Sequence, residues 1–375
     1  MPTDRDVTDA YLRHAVQLDR AVLGEAGRSA TIARELNDKF LAVIIPKRTR
    51  TPAQQNRAVS AATAEYVRGW NAQLVPQLEA NGARAASIEA GFQAGALETF
   101  TGSTTVRIPD ELGLLQRASA TPFQGKVMSD WAMGVAGSTI RAAQSALNVA
   151  FAEGLSPGDT EKALAGVMQR NVRDVRAVAR TYMQQYASQA RDSVLQANND
   201  LIKGIMWVST LDNRTTGICM LRDGEVYDME TKENIDGGPS WLDGPGNSHW
   251  NCRSVGTPQL VGVEETGYRP AVDPGEDYER GDNTTRSGRV RKPNKAAREA
   301  DIYSVRGGAK RGVPVNTNYE TWLKAQGNKS PAFVEDILGV ERAKLFNEGT
   351  PLSKLIDNNT GTPITLDQLA QQGIL

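Results

Sequence analysis

The residues best equipped for chemistry in this chain are Cys219, His249 and Cys252. They comprise both of its cysteines and one of its two histidines, and all fall between Trp207 and Pro258. Thiolate sulfur and imidazole nitrogen are donors that zinc prefers, about four of them in a tetrahedron. His249 and Cys252 are separated by two residues, so one tight turn aims both side chains at a single point. Cys219 lies earlier, just after the turn Asp212-Asn213-Arg214-Thr215. That makes three donors for a zinc site. Asp212, Asp223, Asp228, a backbone carbonyl or a water are the candidates for a fourth. Two other readings stand beside the metal: a Cys219–Cys252 disulfide, and two buried free thiols with His249 in a structural hydrogen bond.

Catalysis asks for more. A cysteine nucleophile needs a base and a third group to orient that base, and His249 serves only if the fold brings it to a sulfur. A metal-dependent nuclease built on H-W-N-C-R lacks carboxylates clustered about the histidine, and His14 lies far away in an N-terminal helix. No phosphate loop, dinucleotide fingerprint, zinc-protease helix or serine elbow occurs elsewhere. Gly237, Gly238, Gly244 and Gly246 sit among Pro, Ser and Asp as turn formers. Asp212 is expected to accept backbone N–H bonds in its own turn and to pair with Arg214. The reading is of a chain that is not an enzyme.

These residues must be positioned by flanking elements, and the pattern predicts mostly helix. Residues 4 to 45 carry Ile32, Leu36, Phe40, Val43 and Ile44 at three-four spacing, and Pro46 ends the run. Thr51, Pro52 and Gln54 form a capping box for a second helix lined by Val59, Tyr66, Trp70, Leu74 and Leu78, which Pro76 should kink or end. Residues 81 to 98 are Ala/Gly-rich and weakly patterned. The stretch TFTGSTTVRIPD is expected to hold a short strand. A helix over 122 to 151 follows, then a Gly154–Gly158 turn with Asp159 or Thr160 as the next cap.

From about Val172 to Ile202 the pattern is most regular. Val172, Val175, Val178, Tyr182, Tyr186, Ala190 and Val194 make a core stripe, and Arg173, Asp174, Arg176, Arg180, Gln184 and Gln185 make an outer face for solvent or a partner protein. A strand at Ile205 to Thr210 then leads into the Cys/His stretch. The tail offers small helices at Ser330, at Glu341 and behind a capping box at Thr365.

The fold class is α+β and predominantly α. It divides into a helical region at 1–120 for partner contacts, a small α+β core with the Cys/His loop at 121–262, a charged arm at 263–312, and a small helical end-piece at 313–375. Charge is balanced over the 375 residues, with 43 Lys+Arg against 44 Asp+Glu, so no global field draws the chain to nucleic acid or a membrane. The charge is segregated instead: residues 264 to 282 are acidic and 286 to 311 basic. Mean hydropathy is −0.44, and no apolar run reaches the roughly 20 residues of a membrane span. The N-terminal stretch lacks an apolar signal core, so folding in a reducing cytosol is expected.

One further signal lies in the order of motifs. Ala179-Arg180-Thr181 on the long helix is followed by W-V-S-T, D-N-R-T-T-G-I-C, R-D-G-E-V-Y and H-W-N-C-R. This series resembles the phage head-morphogenesis family, the minor head proteins of tailed phages such as phage Mu. Asp212, Arg214, Thr215, Cys219, Gly224, His249, Cys252 and Arg253 match its pattern. Trp250 stands where proline is usual, and Ser254 where a second cysteine is frequent, which removes one candidate fourth ligand. Pieces of the tail (Tyr319-Glu320-Thr321-Trp322-Leu323, Arg342-Ala343-Lys344-Leu345-Phe346) resemble segments that follow this core in related proteins. The resemblance covers roughly 125 to 260 and 313 to 370.

It implies a structural virion protein of the phage head, assembled in the bacterial host cytoplasm. Its implied partners are the portal protein and the major capsid or scaffold protein. Its implied roles are head assembly and the packaging or ejection of DNA. A metal-dependent nuclease, or an ejection protein gripping packaged DNA through residues 286–311, are the alternatives.

Overall fold

The computed structural model describes residues 5–45, 51–263, 268–274 and 312–375. The basic run at 286–311 and most of the acidic run before it lie outside the described residues. Helix α1 (Arg5–Ile44) matches the expected span. Helix α2 (Pro52–Gly69) opens on the capping box foreseen at Thr51, with both reciprocal bonds formed to Gln54. Pro76 does not end the helix. The five residues Trp70–Leu74 widen into a π-helical turn, in which the Val75 N–H reaches back to the Trp70 carbonyl, and α3 (Val75–Thr101) continues from there. The wider turn accommodates a proline ring that lacks an N–H and would crowd a regular α-helical turn.

The Ala/Gly-rich stretch belongs to α3, and its small residues are the packing surface. Gly82, Ala85, Ala86, Ala90 and Ala94 are buried. A Cβ at Gly82 would lie 2.9 Å from the ring of Tyr182 and 3.0 Å from that of Tyr186. Close approach, rather than bulk, holds α3 to its neighbour. The strand expected within TFTGSTTVRIPD is absent. Helix α3 runs through Thr101, and the Arg107 backbone is paired instead by one side chain: Asn198 accepts from its N–H and donates to its carbonyl, both at 2.8 Å. With those bonds satisfied, the segment needs no ladder.

Helices α4 (Glu111–Ala120) and α5 (Met128–Ala152) follow, with Phe123 and Val127 ahead of α5 rather than inside it. Helix α6 (Pro157–Ala197) starts well before Val172. Its cap is Ser156, one position before Pro157, whose hydroxyl accepts from the Asp159 N–H, rather than Asp159 or Thr160. The expected outer face also fails at its C-terminal end. Gln184 and Gln185 are buried, because α1, α3, α4 and α5 all pack against α6. Tyr182 and Tyr186 stack in that interior, as the stripe predicted.

Strand β1 (Ile202–Val208) leaves α6 and becomes the centre of an antiparallel sheet between β2 (Val226–Tyr227) and β3 (Val255–Leu260). Helix α7 (Gly217–Arg222) lies between β1 and β2. A two-stranded ribbon pairs β4 (Tyr268–Pro270) with β5 (Gly312–Pro314). The tail folds into the short helices Tyr319–Lys329, Pro331–Leu338, Val340–Asn347, Leu352–Leu355 and Leu366–Gln371 around Trp322, Phe333 and Phe346. The Thr365 capping box is formed. Among the described residues no helix is long and apolar enough to cross a membrane.

A buried charge network ties α1 and α3 to α6. Glu89 on α3 accepts from Arg191 on α6 at 2.6 Å and pairs with His14 on α1 at 2.7 Å. Burial alone would push the Glu89 carboxyl up. The Arg191 guanidinium and the bonds from His14 and Gln93 outweigh it and hold the carboxyl at about 2. Since this value is depressed below that of an unfolded glutamate, about 4.3, the contribution is complete above about pH 4.5 and is lost as pH falls toward 2. It is on the order of 3 kcal/mol. Urea unfolding between pH 5 and 2.5 should show this loss, and Glu89→Gln should flatten the slope in that window.

Candidate metal centre

The end of β1 delivers the chain into the turn at Asp212, and α7 then carries Cys219, whose carbonyl accepts from the Ser209 hydroxyl just past β1. Pairing of Trp207 with Gly256 and of Val208 with Val255 holds the His249–Cys252 turn over α7. Within that turn the Cys252 N–H donates to the His249 carbonyl at 3.2 Å. Asn251 takes a left-handed φ of 57°, and its N–H donates to the Thr181 hydroxyl on α6 at 3.2 Å. Trp250 packs edge-on against Phe123 and Trp131. The turn is thus anchored to the helical bundle by one hydrogen bond and one aromatic wedge.

The three residues singled out in the sequence meet. His249 Nε2 lies 3.1 Å from Cys219 Sγ, and the two sulfurs are 3.8 Å apart and unbonded. One ligand atom from each residue falls within 4.8 Å of the others. The His249 Nδ1 donates to the Trp250 carbonyl at 3.0 Å, which turns Nε2 toward the sulfurs. A backbone partner on the far ring nitrogen is the usual support of a metal-bound imidazole. The Gly246 N–H donates to Cys252 Sγ at 3.4 Å. The Cys219 contact draws the Cys252 thiol well below its ordinary range, and the same contact, with burial, pushes Cys219 well above it. Burial would lower His249, but the neighbouring Cys252 thiolate raises it. This group can bind a metal ion.

The aspartates offered as a fourth ligand are engaged elsewhere. Both oxygens of Asp212 take the Arg253 fork at 2.8 Å, and one also accepts from the Arg214 N–H and the Thr215 hydroxyl. Burial pushes Asp212 up, yet Arg253 and Arg214 bring it below the usual carboxylate range. Asp223 takes the Arg269 fork at 3.0 and 2.9 Å and accepts from the Ser209 N–H. Asp228 accepts the N–H groups of Glu230 and Thr231. The nucleophile condition, a base beside the sulfur, is met in distance, with Cys219 and Cys252 only 2% and 1% exposed.

Several contributors escaped the sequence reading. The Thr216 hydroxyl lies 2.9 Å from His249 Nε2, and its only signal is its place as N-cap of α7. Ser254 pairs with Ser209 at 3.0 Å, and Ser209 in turn donates to the Cys219 carbonyl. Arg222 is fully buried and donates to the carbonyls of Ser240, Ile218 and Asn358. The cost of breaking the Asp212 hub follows from its burial. Asp212→Ala strands a guanidinium that is mostly covered, and should destabilise by ~3–5 kcal/mol in urea unfolding. Arg214→Ala, at an exposed side chain, should cost under about 1 kcal/mol.

The chain was compared with known families and proteins. No curated protein and no solved structure matches it. Residues 144–257 match the family model described as phage Mu protein F like protein. The match opens inside α5, takes in α6, β1, α7 and the whole Cys/His turn, and closes in β3. It agrees with the resemblance drawn from the motif order alone. The segment that builds the candidate metal centre is thus similar to the phage Mu protein F like family, which supports a phage Mu-like head-morphogenesis relationship.

Proposed function

We propose that this chain is a minor head protein of a tailed phage, held at the portal vertex or the inner capsid, and that it serves procapsid assembly and the packaging or ejection of DNA. The observation that carries the reading is the family match over residues 144–257. The role is one of binding rather than catalysis, in keeping with sulfurs that are buried. Its partners are the portal protein and the major capsid or scaffold protein, and the positive charge of the sequence at 286–311 suits packaged DNA as a further partner. Co-expression with the portal protein of the same phage should yield a complex that survives size-exclusion chromatography. Separate elution of the two proteins, alone and in assembling procapsids, would overturn the portal assignment.

In the same reading Cys219, His249 and Cys252 hold zinc. Two sulfurs and one imidazole nitrogen suit that ion, and the bonds from Gly246 to sulfur and from His249 Nδ1 to Trp250 are the supports such ligands need. The ion would act structurally, cross-linking α7 to the turn before β3. Purified protein should contain about one zinc per chain by elemental analysis. Cys252→Ser should lose most of it, and chelation should lower Tm. Protein purified under reducing conditions with no zinc, and unable to take it up, would sink this assignment.

A further inference from the structure

Zinc held by four protein ligands is closed, whereas zinc held by three keeps a position for an outside ligand. The chain's own inventory bears on which applies here. It has two cysteines and two histidines in all, and the second histidine, His14, is bonded to Glu89 on α1 and α3. No further thiolate exists to be recruited, and the only other imidazole is committed elsewhere. Asp212, Asp223 and Asp228 are committed to the arginine and backbone partners described above. Ser254 bonds Ser209 and also reaches Cys219, but it offers a hydroxyl rather than a thiolate. Among the described residues the His/Cys/carboxylate group therefore stops at three.

The fourth direction also has a surface. The two cysteines are buried, but His249 is only half-buried and Thr216, 2.9 Å from its Nε2, is exposed. The Thr216 hydroxyl stands where it can hydrogen-bond a small molecule that completes the tetrahedron.

We infer that the Cys219–His249–Cys252 centre supplies three ligands only, and that its open side, beside Thr216, admits an exchangeable monodentate ligand. The inference rests on the zinc reading and goes beyond it, since a purely structural knot would be closed. With a metal bound, such exchange would be a simple ligand substitution, water for the incoming ligand, with no change of oxidation state.

Cobalt(II) in place of zinc reports the ligand set in its visible spectrum, with azide as the probe anion. The full chain loaded with cobalt should show sulfur-to-metal charge transfer from two thiolates, and its d–d bands should shift saturably as azide is added. Thr216→Cys should add a fourth protein donor. Charge transfer should then rise about 1.5-fold, from two thiolates to three, and the azide response should vanish. No cobalt uptake at all would overturn the zinc reading and this inference with it. Uptake with a tetrahedral spectrum indifferent to azide would leave the zinc reading standing and overturn the open position alone.

Discussion

Helix α6 runs through the interior carrying polar side chains that need partners, and much of the architecture follows from where those partners lie. A buried donor or acceptor left alone costs about 1–3 kcal/mol, so each pairing fixes the placement of another element. Asn171 donates to Thr139 on α5 and accepts from Asn37 on α1. Thr181 receives the N–H of Asn251 in the Cys/His turn. Gln185 donates to the carbonyl of Thr121, between α4 and α5. Ser188 donates to the carbonyl of Pro245, three positions before Ser248 and the metal-centre turn. Arg191 takes Glu89 from α3. Apolar packing would let these elements slide along one another, but the polar pairs set their register. The bundle and the candidate centre are thus positioned by one helix.

What the sequence made legible were features whose physics is local. The capping boxes at Thr51 and Thr365 are complete within four residues, and both form as read. The Asp212 turn is also local, since the carboxylate accepts from the N–H two residues on. The His249–Cys252 spacing announces a tight turn for the same reason. Features that depend on a distant partner were not legible. The α3 face is written in Gly and Ala, which carry little hydropathy signal, and only the Tyr182 and Tyr186 rings on another helix explain why small residues are needed there. Gln184 and Gln185 have the composition of a solvent face until α6 is enclosed. The π turn before Pro76 leaves no mark that distinguishes it from a helix break.

The candidate centre has the same division. Its three donors could be named from residue type and spacing, while the groups that orient them could not. Thr216, Gly246 and Ser254 have no donor chemistry that would draw notice in a sequence. Ser254 is informative because it sits two residues after Cys252 and bonds into the centre. Its hydroxyl completes a chain through Ser209 to the Cys219 carbonyl, so the position supports a ligand here without supplying one. Arg222 adds a buried guanidinium stacked over Trp207 at 5.8 Å, satisfied entirely by carbonyl oxygens. Its three acceptors lie in α7, in the loop at Ser240 and in the tail at Asn358. One side chain thereby joins both sides of the centre to the C-terminal end-piece.

That last contact bears on how far the family segment can stand alone. Residues 144–257 contain Arg191, Asp223 and Arg222, and each has a partner outside those limits: Glu89, Arg269 and Asn358. The Tyr319 hydroxyl donates to the Asp212 carbonyl at 2.8 Å. Gly217 abuts Gly361 so closely that a Cβ on either would run into the other's backbone region. Stripped of its flanks, the segment would keep its donors but leave a buried guanidinium and a buried carboxylate without their counter-charges, at several kcal/mol apiece. The family pattern therefore marks the part of the chain where the ligands are, whereas the folding unit that holds those ligands in place extends to α3 on one side and to the tail helices on the other.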